Sequence, residues 1–390
     1  MLRPLVKYFI LVMGLVMPAW AQQPLVEARV TTGFSDNYLQ TKEKQSSATI
    51  KMDLGLNAGT QWRSFDVRVH GQLSTIDYKE NSQAQFDNSS IGAMLTWKPT
   101  NQQNLNVKIG RTEADQAPWQ GIRRDSYQAD LPTDTALAID ETQVLYSSLN
   151  YNYKTAGEQG LVFSAGLTSN DKSYAATDVL ALQNNKLTNA LDTSLGYQWR
   201  AGRHVFLQYQ QLKSEFTDFA NRDNNSKIYA LGLAWQATAI TGFTLGLGQE
   251  VRTIESTSEE NTSNYWSLQT SWAPRSYSVF SVSSTQRQQS SEYQGQLLQL
   301  SKSYSLTWRH TWSNGIHSQL GISQQKLSQV AVKRHEDQTS ASLALSYKFA
   351  ANWQSSLSYS YTDHADSLNR RNYQQNSVQF SIKYALGGNS

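Results

Sequence analysis

Residues 191–199 read Leu-Asp-Thr-Ser-Leu-Gly-Tyr-Gln-Trp, with large apolar or aromatic side chains confined to odd positions and Asp, Ser, Gly and Gln at even positions. Residues 378–386, Val-Gln-Phe-Ser-Ile-Lys-Tyr-Ala-Leu, repeat this alternation. A period of two is that of a β-strand with one apolar face. From residue 25 onward the pattern recurs with no sign of the 3.6-residue helical period. The sequence therefore predicts an all-β protein.

Composition excludes several classes of protein. The chain has 390 residues, among them 20 Tyr, 11 Trp, 7 Pro and no Cys. Without cysteine there is no disulfide framework, thiol nucleophile or thiolate metal site. A helical membrane protein is also excluded, because no apolar run after the N-terminal segment approaches the roughly 20 residues that a spanning helix needs.

The N-terminus has the features of an export signal. Arg3 and Lys7 precede an apolar stretch, which ends in Ala19-Trp20-Ala21, a small-x-small cleavage site. We expect residues 1–21 to be a cleaved signal peptide and residues 22–390 to form a single domain. Loss of Arg3 and Lys7 leaves 32 basic and 31 acidic residues. This balance offers no electrostatic case for nucleic acid, so no nucleic-acid partner is expected.

The breaks between the alternating stretches distinguish a soluble sandwich from a membrane barrel, because they alternate in length. Short breaks lie near residues 60–63, 99–103, 154–159, 200–203, 238–241, 273–276, 312–315 and 349–352. Longer polar breaks lie near residues 35–46, 79–87, 113–141, 169–188, 216–226, 255–262, 288–298, 331–337 and 364–372. Short periplasmic turns and long extracellular loops are typical of outer-membrane barrels.

The breaks predict a transmembrane antiparallel up-and-down β-barrel of about 18 strands, with both termini in the periplasm. A bulge or a count of sixteen strands is the alternative, because the alternation slips around residues 204–212 and 277–282. Aromatic residues also recur at the short-turn ends, as expected of a girdle at a membrane interface. They are Trp62, Trp97, Tyr153, Trp199, Trp235, Trp272, Trp308, Tyr347 and Tyr384.

If the apolar positions face lipid, the charged residues between them line the interior, and barrels of this size leave a water-filled channel. The pore-lining candidates are Lys51, Asp53, Asp66, Arg68, Lys108, Asp192, Glu250, Arg252, Arg309, Lys348 and Lys383. Most of the other interior positions are Ser, Thr, Gln, Asn or Gly, which suits polyhydroxylated solutes. The alternative is that these charges pair with one another and only keep the interior hydrated.

The longest break, residues 113–141, is the candidate for a loop that folds inward and narrows the channel. Arginine beside aromatic rings can hold sugars or anions. The candidate constriction residues are Trp119, Arg123, Arg124, Asp125 and Tyr127. The alternative is a solvated surface loop, which binds lipopolysaccharide phosphates or nothing.

Enzymatic chemistry is not indicated. The six histidines form no HExxH or other paired spacing, and there is no P-loop, GxGxxG or GxSxG motif. The short matches around His70 and around Asp363-His364 are of the kind that arise by chance. We therefore expect no catalytic residue, no metal and no cofactor.

The chain resembles a known family, the beta-barrel porin type of outer-membrane protein that accompanies bacterial exopolysaccharide secretion. The likeness lies in a signal peptide followed closely by a first strand, Val26 to Phe34, in the sequence Gly33-Phe34-Ser35-Asp36-Asn37, and in about 18 strands without a plug or periplasmic domain. The resemblance implies a channel that exports an exopolysaccharide together with a periplasmic polysaccharide-export protein. Outer-membrane lipid, lipopolysaccharide and the barrel-insertion machinery are the other expected partners.

Two alternative functions stay open at this stage. One is a general or oligosaccharide uptake porin, and the other is a structural or adhesive surface barrel. A sugar-selective uptake porin is expected to carry a run of inward-facing aromatic residues, and no such run is evident in the sequence, where most aromatic residues share the outward parity or lie in loops.

Overall fold

The computed structural model describes residues 25–117, 119, 121–123, 139–290, 298–329, 333–369 and 371–387, without the side chains of residues 81–84. The expected signal peptide, residues 1–21, lies outside the described residues. The strands of the described part are β1 (Leu25–Ser35), β2 (Ser47–Trp62), β3 (Phe65–Tyr78), β4 (Asn81–Thr100), β5 (Gln103–Gln116), β6 (Asp140–Lys154), β7 (Gly160–Tyr174), β8 (Lys186–Arg200), β9 (Arg203–Phe216), β10 (Asn224–Thr238), β11 (Thr241–Ile254), β12 (Glu259–Arg275), β13 (Ser278–Gln289), β14 (Gln299–Thr311), β15 (Ile316–Gln329), β16 (Arg334–Ala350), β17 (Trp353–Asp366) and β18 (Tyr373–Leu386).

The sheet is closed. Each strand pairs antiparallel with its neighbours in chain order, and β1 pairs with both β2 and β18. Val26, near the start of β1, is paired with Leu56 of β2 on one side and with Leu386, at the end of β18, on the other. The first strand therefore begins, and the last strand ends, at the edge of the barrel that carries the short turns. Closure leaves no unpaired strand edge. The prediction of an 18-stranded antiparallel barrel is confirmed.

The alternative of 16 strands is wrong, because β9 and β13 are both complete strands. The pairing of β9 with β10 and of β13 with β14 is continuous, without a bulge. The alternation slips for a different reason. Phe206 and Val279 are apolar residues on the inner face, so each lies beside an apolar residue that faces outward.

Several predicted loops are shorter in the structure than in the sequence pattern. The break expected at residues 79–87 is a turn at residues 79–80, since β4 begins at Asn81, and the break at 255–262 is a turn at 255–258. The backbone ladder continues through these polar segments because its hydrogen bonds do not depend on apolar side chains. Alternation therefore marks the apolar band of the barrel and not the ends of the strands.

The outer surface is apolar and is edged by aromatic rings. Leu207 and Leu231 are 66% and 62% exposed, as lipid-facing residues would be in the absence of lipid. At the short-turn edge Trp62, Phe65 and Trp97 stack in a row, with ring centroids 6.0 and 5.8 Å apart. This arrangement is that of an interfacial girdle.

Helices are few in the described part of the chain. They are α1 (Val179–Leu182) and two short 3-10 turns, at Gly121–Arg123 and Ala220–Arg222. None of the helices described is long and apolar enough to cross a membrane.

Candidate functional site: the inner wall and mouth of the barrel

Side-chain parity identifies the inner wall. Directly paired residues of an antiparallel sheet place their side chains on the same face. Leu195, Leu207 and Leu231 are paired in register and exposed, so this parity faces outward and the residues between face inward. The same rule places every charged pore-lining candidate on the inner face: Lys51, Asp53, Asp66, Arg68, Lys108, Asp192, Glu250, Arg252, Arg309, Lys348 and Lys383. Their effect on a solute stays a prediction.

Several of these charges are neutralised locally. Lys51 Nζ lies 3.0 Å from Asp53 Oδ1, and Arg68 Nη2 lies 2.7 Å from Asp66 Oδ2, each pair two residues apart on one strand. Lys383 Nζ lies 2.6 Å from Glu27 Oε1 on the neighbouring strand β1. These pairs favour the interpretation that most wall charges hydrate the interior and create little net field.

Other inward charges have amide partners or none. Asp192 Oδ2 accepts hydrogen bonds from the side-chain amides of Gln208, at 3.2 Å, and Gln210. Arg309 Nε donates to Gln319 Oε1 at 3.3 Å. Among the described residues, Lys108 and Lys348 form no ion pair. Among the predicted wall residues, the exposed positive charges without an ion pair are therefore those of Lys108, Arg309 and Lys348.

We expect the combined substitutions Lys108→Glu, Arg309→Glu and Lys348→Glu to shift the ion preference of the barrel towards cations. The field of the wall sets the local population of counter-ions, and each of these residues supplies a positive charge that no ion pair neutralises. The reversal potential of the purified barrel in planar bilayers under a KCl gradient measures the change. Lys326→Glu, on the outer face, is the matched control and is expected to leave the reversal potential unchanged. Equal shifts would mean that the facing is wrong.

Glu250 and Arg252 differ from the prediction, because neither has exposed surface. Both are 0% exposed. Glu250 accepts hydrogen bonds from Ser226 Oγ and from the backbone N–H of Gln288, each at 2.5 Å. The pair belongs to the packed inner side of β10–β13 near the long-loop end, where packing against neighbouring groups removes both side chains from water. Neither contributes to an accessible wall.

The first part of the long loop after β5 lies inside the barrel mouth, which is the end with the long loops. Trp119 is 2% exposed and packs edge-on against Tyr38, Tyr78 and Phe86, at centroid distances of 5.4 to 5.8 Å. Tyr78 and Phe86 project from the inner face of β3 and β4. Trp119 therefore anchors the loop to the wall and does not present its ring to a solute.

Arg123 forms a second anchor. It is buried, and its guanidinium donates to Asp140 at 2.8 and 2.9 Å and also to Asp178, which precedes α1 in the next long loop. Burial disfavours the charged guanidinium, but these hydrogen bonds outweigh that effect and raise the pKa of Arg123. Burial likewise opposes ionisation of Asp178, yet hydrogen bonds from Arg123 and Ala181 lower the pKa of its carboxyl.

Trp119 and Arg123, expected to grip a solute at a constriction, therefore hold the loop in place instead. Their polar and aromatic groups are used by contacts within the protein, which is why they are not available to a solute. The other constriction candidates, Arg124, Asp125 and Tyr127, lie outside the described residues, so their role stays a prediction.

Sequence reasoning missed the inward-facing rings of the mid-wall. Tyr146, Phe206 and Tyr265 all project inward, and each lies in a row with at least one glycine on an adjacent strand. A side chain at Gly232 would collide with the ring of Phe206, so that ring lies across the wall. Glycine opposite an aromatic position is the signal that could have revealed these rings, but it requires the register.

A buried ion cluster at the mouth was also missed. Arg334 Nη2 lies 2.9 Å from Asp366 Oδ2, and His364 Nε2 lies 3.6 Å from Glu336 Oε2, on the inner face of β16 and β17. These side chains hold two strands together where the sequence pattern places long polar breaks. No group of three or more His, Asp or Glu that could hold a metal occurs among the described residues.

The largest uniform feature is an inner surface of small hydroxyl groups on β12–β18, which we name the hydroxyl wall. Two unbroken register rows without a charge cross these strands. One row is Ser271, Ser281, Thr307, Gly321, Ser342, Ser360 and Ser377, and the other is Gln269, Ser283, Ser305, Ser323, Ser340, Thr362 and Gln375. Some of these hydroxyls are hydrogen-bonded to each other, as are Ser283 Oγ and Ser305 Oγ, which lie 2.7 Å apart.

Comparison with known proteins supports the fold. No family model and no curated protein sequence matches the chain. Among solved structures, OccK2 (OpdF) of Pseudomonas aeruginosa is similar with a TM-score of 0.52 and 11% identity, over 94% of this chain and 98% of that one. The FrpB iron transporter of Neisseria meningitidis (F5-1 variant) gives 0.52 and 10%, over 93% and 82%. The chain thus has the fold of outer-membrane barrel porins.

Proposed function

We propose that this protein is an outer-membrane channel for a carbohydrate chain and that its physiological role is the export of an exopolysaccharide. The hydroxyl wall is the observation that carries the proposal. Across seven adjacent strands its two register rows present Ser, Thr and Gln side chains and one glycine, with no charge.

Such a wall suits a polymer of sugars for a physical reason. A sugar hydroxyl that leaves water for a protein hydroxyl or amide exchanges one hydrogen bond for another at little net cost. Many equivalent weak sites allow a chain to slide, since no single site holds it firmly. The charged pairs on β2 and β3 keep the neighbouring part of the inner wall hydrated, since only β1 separates these strands from β18.

In this proposal the short-turn edge, where β1 begins and β18 ends, lies in the periplasm. A periplasmic polysaccharide-export protein would meet the barrel at that edge, and lipid and lipopolysaccharide would surround its apolar band. The barrel-insertion machinery would assemble it. The family resemblance of the sequence supports this direction of transport.

Oligosaccharide uptake is the second candidate, and a specific observation favours it. The sequence shows no run of inward aromatic residues, which is an argument against uptake, but three separate rings, Tyr146, Phe206 and Tyr265, do face the interior. Aromatic rings on a polar wall can stack on the apolar faces of sugars.

Deletion of the gene, with complementation by the intact gene, tests the proposal. Export predicts that the deletion strain keeps polymer in the periplasm and loses it from the cell surface, while its growth on oligosaccharides is normal. A strain that secretes its polymer normally but fails to grow on an oligosaccharide would replace export with uptake. Polymer is measured separately in periplasmic and surface fractions.

A further inference from the structure

One row of directly paired residues on the inner wall brings an imidazole and a phenol together above two glycines. The row crosses four adjacent strands, and each member is directly paired with the next: His70 of β3, Gly92 of β4, Gly110 of β5 and Tyr146 of β6. All four face inward, because Val69, Ile109 and Leu145 beside them have the outward parity. The two end members are thus separated by two positions without side chains.

The two planar side chains lie over that gap. The ring and hydroxyl of Tyr146 occupy the space that a side chain on Gly110 would need. A methyl group built on Gly92 would lie 2.6 Å from Tyr146 Oη and 2.5 Å from His70 Cε1, so the phenol and the imidazole converge above Gly92. Both side chains are half-buried, with the remaining surface towards the interior. We name this surface the His70–Tyr146 platform.

Cationic groups border the platform on the side of the short turns. The next inward row contains Arg68, Met94, Lys108 and Ser148. Arg68 is held by Asp66. Lys108 is exposed and has no hydrogen bond or ion pair with a described residue. It lies two residues from Gly110 on the same face, about 7 Å along the strand.

We propose that the His70–Tyr146 platform binds a pyranose ring that carries a carboxylate, that is, a uronate residue of the transported carbohydrate. The apolar face of the sugar packs on the phenol and imidazole, and the Lys108 ammonium binds the carboxylate. A simple inorganic anion would gain nothing from the planar rings. A neutral sugar would gain no charge pairing from Lys108, only hydrogen bonds of the kind that a glutamine could also donate. This inference rests on the proposed function and adds to it the substrate class and the residue that selects it.

Single-channel recordings of the purified full-length barrel in planar bilayers test the platform. The probes are a tetramer of galacturonate and a neutral tetramer of glucose, and the readout is the residence time of each sugar in the channel. We expect the galacturonate tetramer to stay about ten times longer than the glucose tetramer. Tyr146→Ala should shorten both residence times, because it removes the phenol ring on which both sugars pack.

Lys108→Gln separates the two parts of the site, since it should shorten the residence of the galacturonate tetramer about ten-fold and leave that of the glucose tetramer unchanged. Phe206→Ala is the matched control. It also removes an inward ring that lies over a glycine, but this ring is on β9, away from Lys108. Heat-modifiable migration in gels verifies that each variant is folded.

The inference is overturned if Tyr146→Ala leaves both residence times unchanged, or if Lys108→Gln affects the two sugars equally. It is likewise overturned if Phe206→Ala reproduces the full effect of Tyr146→Ala, since any inward ring would then suffice. If neither tetramer enters the wild-type channel, the proposed function fails together with the inference. Entry without sensitivity to Tyr146 or Lys108 removes the inference alone.

Discussion

Leu195→Arg is expected to weaken membrane insertion by about 2–4 kcal/mol, whereas Ser194→Arg is expected to be tolerated. The two residues are adjacent on β8 but face opposite solvents. Leu195 is 55% exposed in the outward apolar row, where an arginine would meet hydrocarbon. Ser194 faces inward, where its hydroxyl lies 2.7 Å from that of Ser164 and an arginine could reach the carboxylate of Asp192 across hydrated space.

Urea titration of the barrel in lipid vesicles, followed by heat-modifiable migration, measures this difference. Leu345→Arg and Ser346→Arg on β16 form a second pair with the same parity and are expected to behave alike. If the inward and outward substitutions damaged insertion equally, the register would be wrong, and the inner wall with it.

Arg123→Met is expected to release the long loop after β5 from the wall at a cost of about 3–5 kcal/mol, which is typical of breaking a buried ion pair. The substitution would leave Asp140 buried, at 1% exposure, without its partner, and would also disconnect Asp178. Detachment should raise single-channel conductance, because the anchored part of the loop occupies the mouth of the barrel.

Limited proteolysis of the folded barrel gives an independent readout, since a detached loop is cut faster. Arg68→Met is the control, because Arg68 also pairs with an aspartate, but 63% of its side chain is exposed and the pair is screened by water. A rise in cleavage and conductance of the same size in both variants would show that Arg123 is not an anchor.

The sequence pattern predicts the surface of the barrel better than its interior. Phe380 and Ile382 alternate with polar neighbours, and this period of two reports directly that one face meets apolar surroundings. Phe206 gives no such signal, because an inward aromatic between two outward apolar residues disrupts the alternation without showing which residue faces which side. The polar segment 79–87 likewise misplaces the start of β4, which begins at Asn81, since ladder hydrogen bonds continue where apolar side chains stop.

The candidate site depends on contacts between residues that are far apart in sequence. His70 and Tyr146 belong to strands separated by two others, and they meet only because the register aligns Gly92 and Gly110 between them. The composition of the loop alone, with arginine beside aromatic residues, predicts that Arg123 binds a solute. Its partner Asp178 comes from the following long loop, and that contact turns a candidate binding residue into an anchor.

The sequence by itself determined the all-β class, an antiparallel barrel of about 18 strands and the facing of most residues, because membrane and water impose a local period of two on every strand. Only the tertiary structure decided which inward residues are accessible, which charges neutralise each other and where planar side chains converge. Those properties follow from inter-strand register and from the folding of loops into the mouth, and both join residues whose separation along the chain leaves no periodic signal.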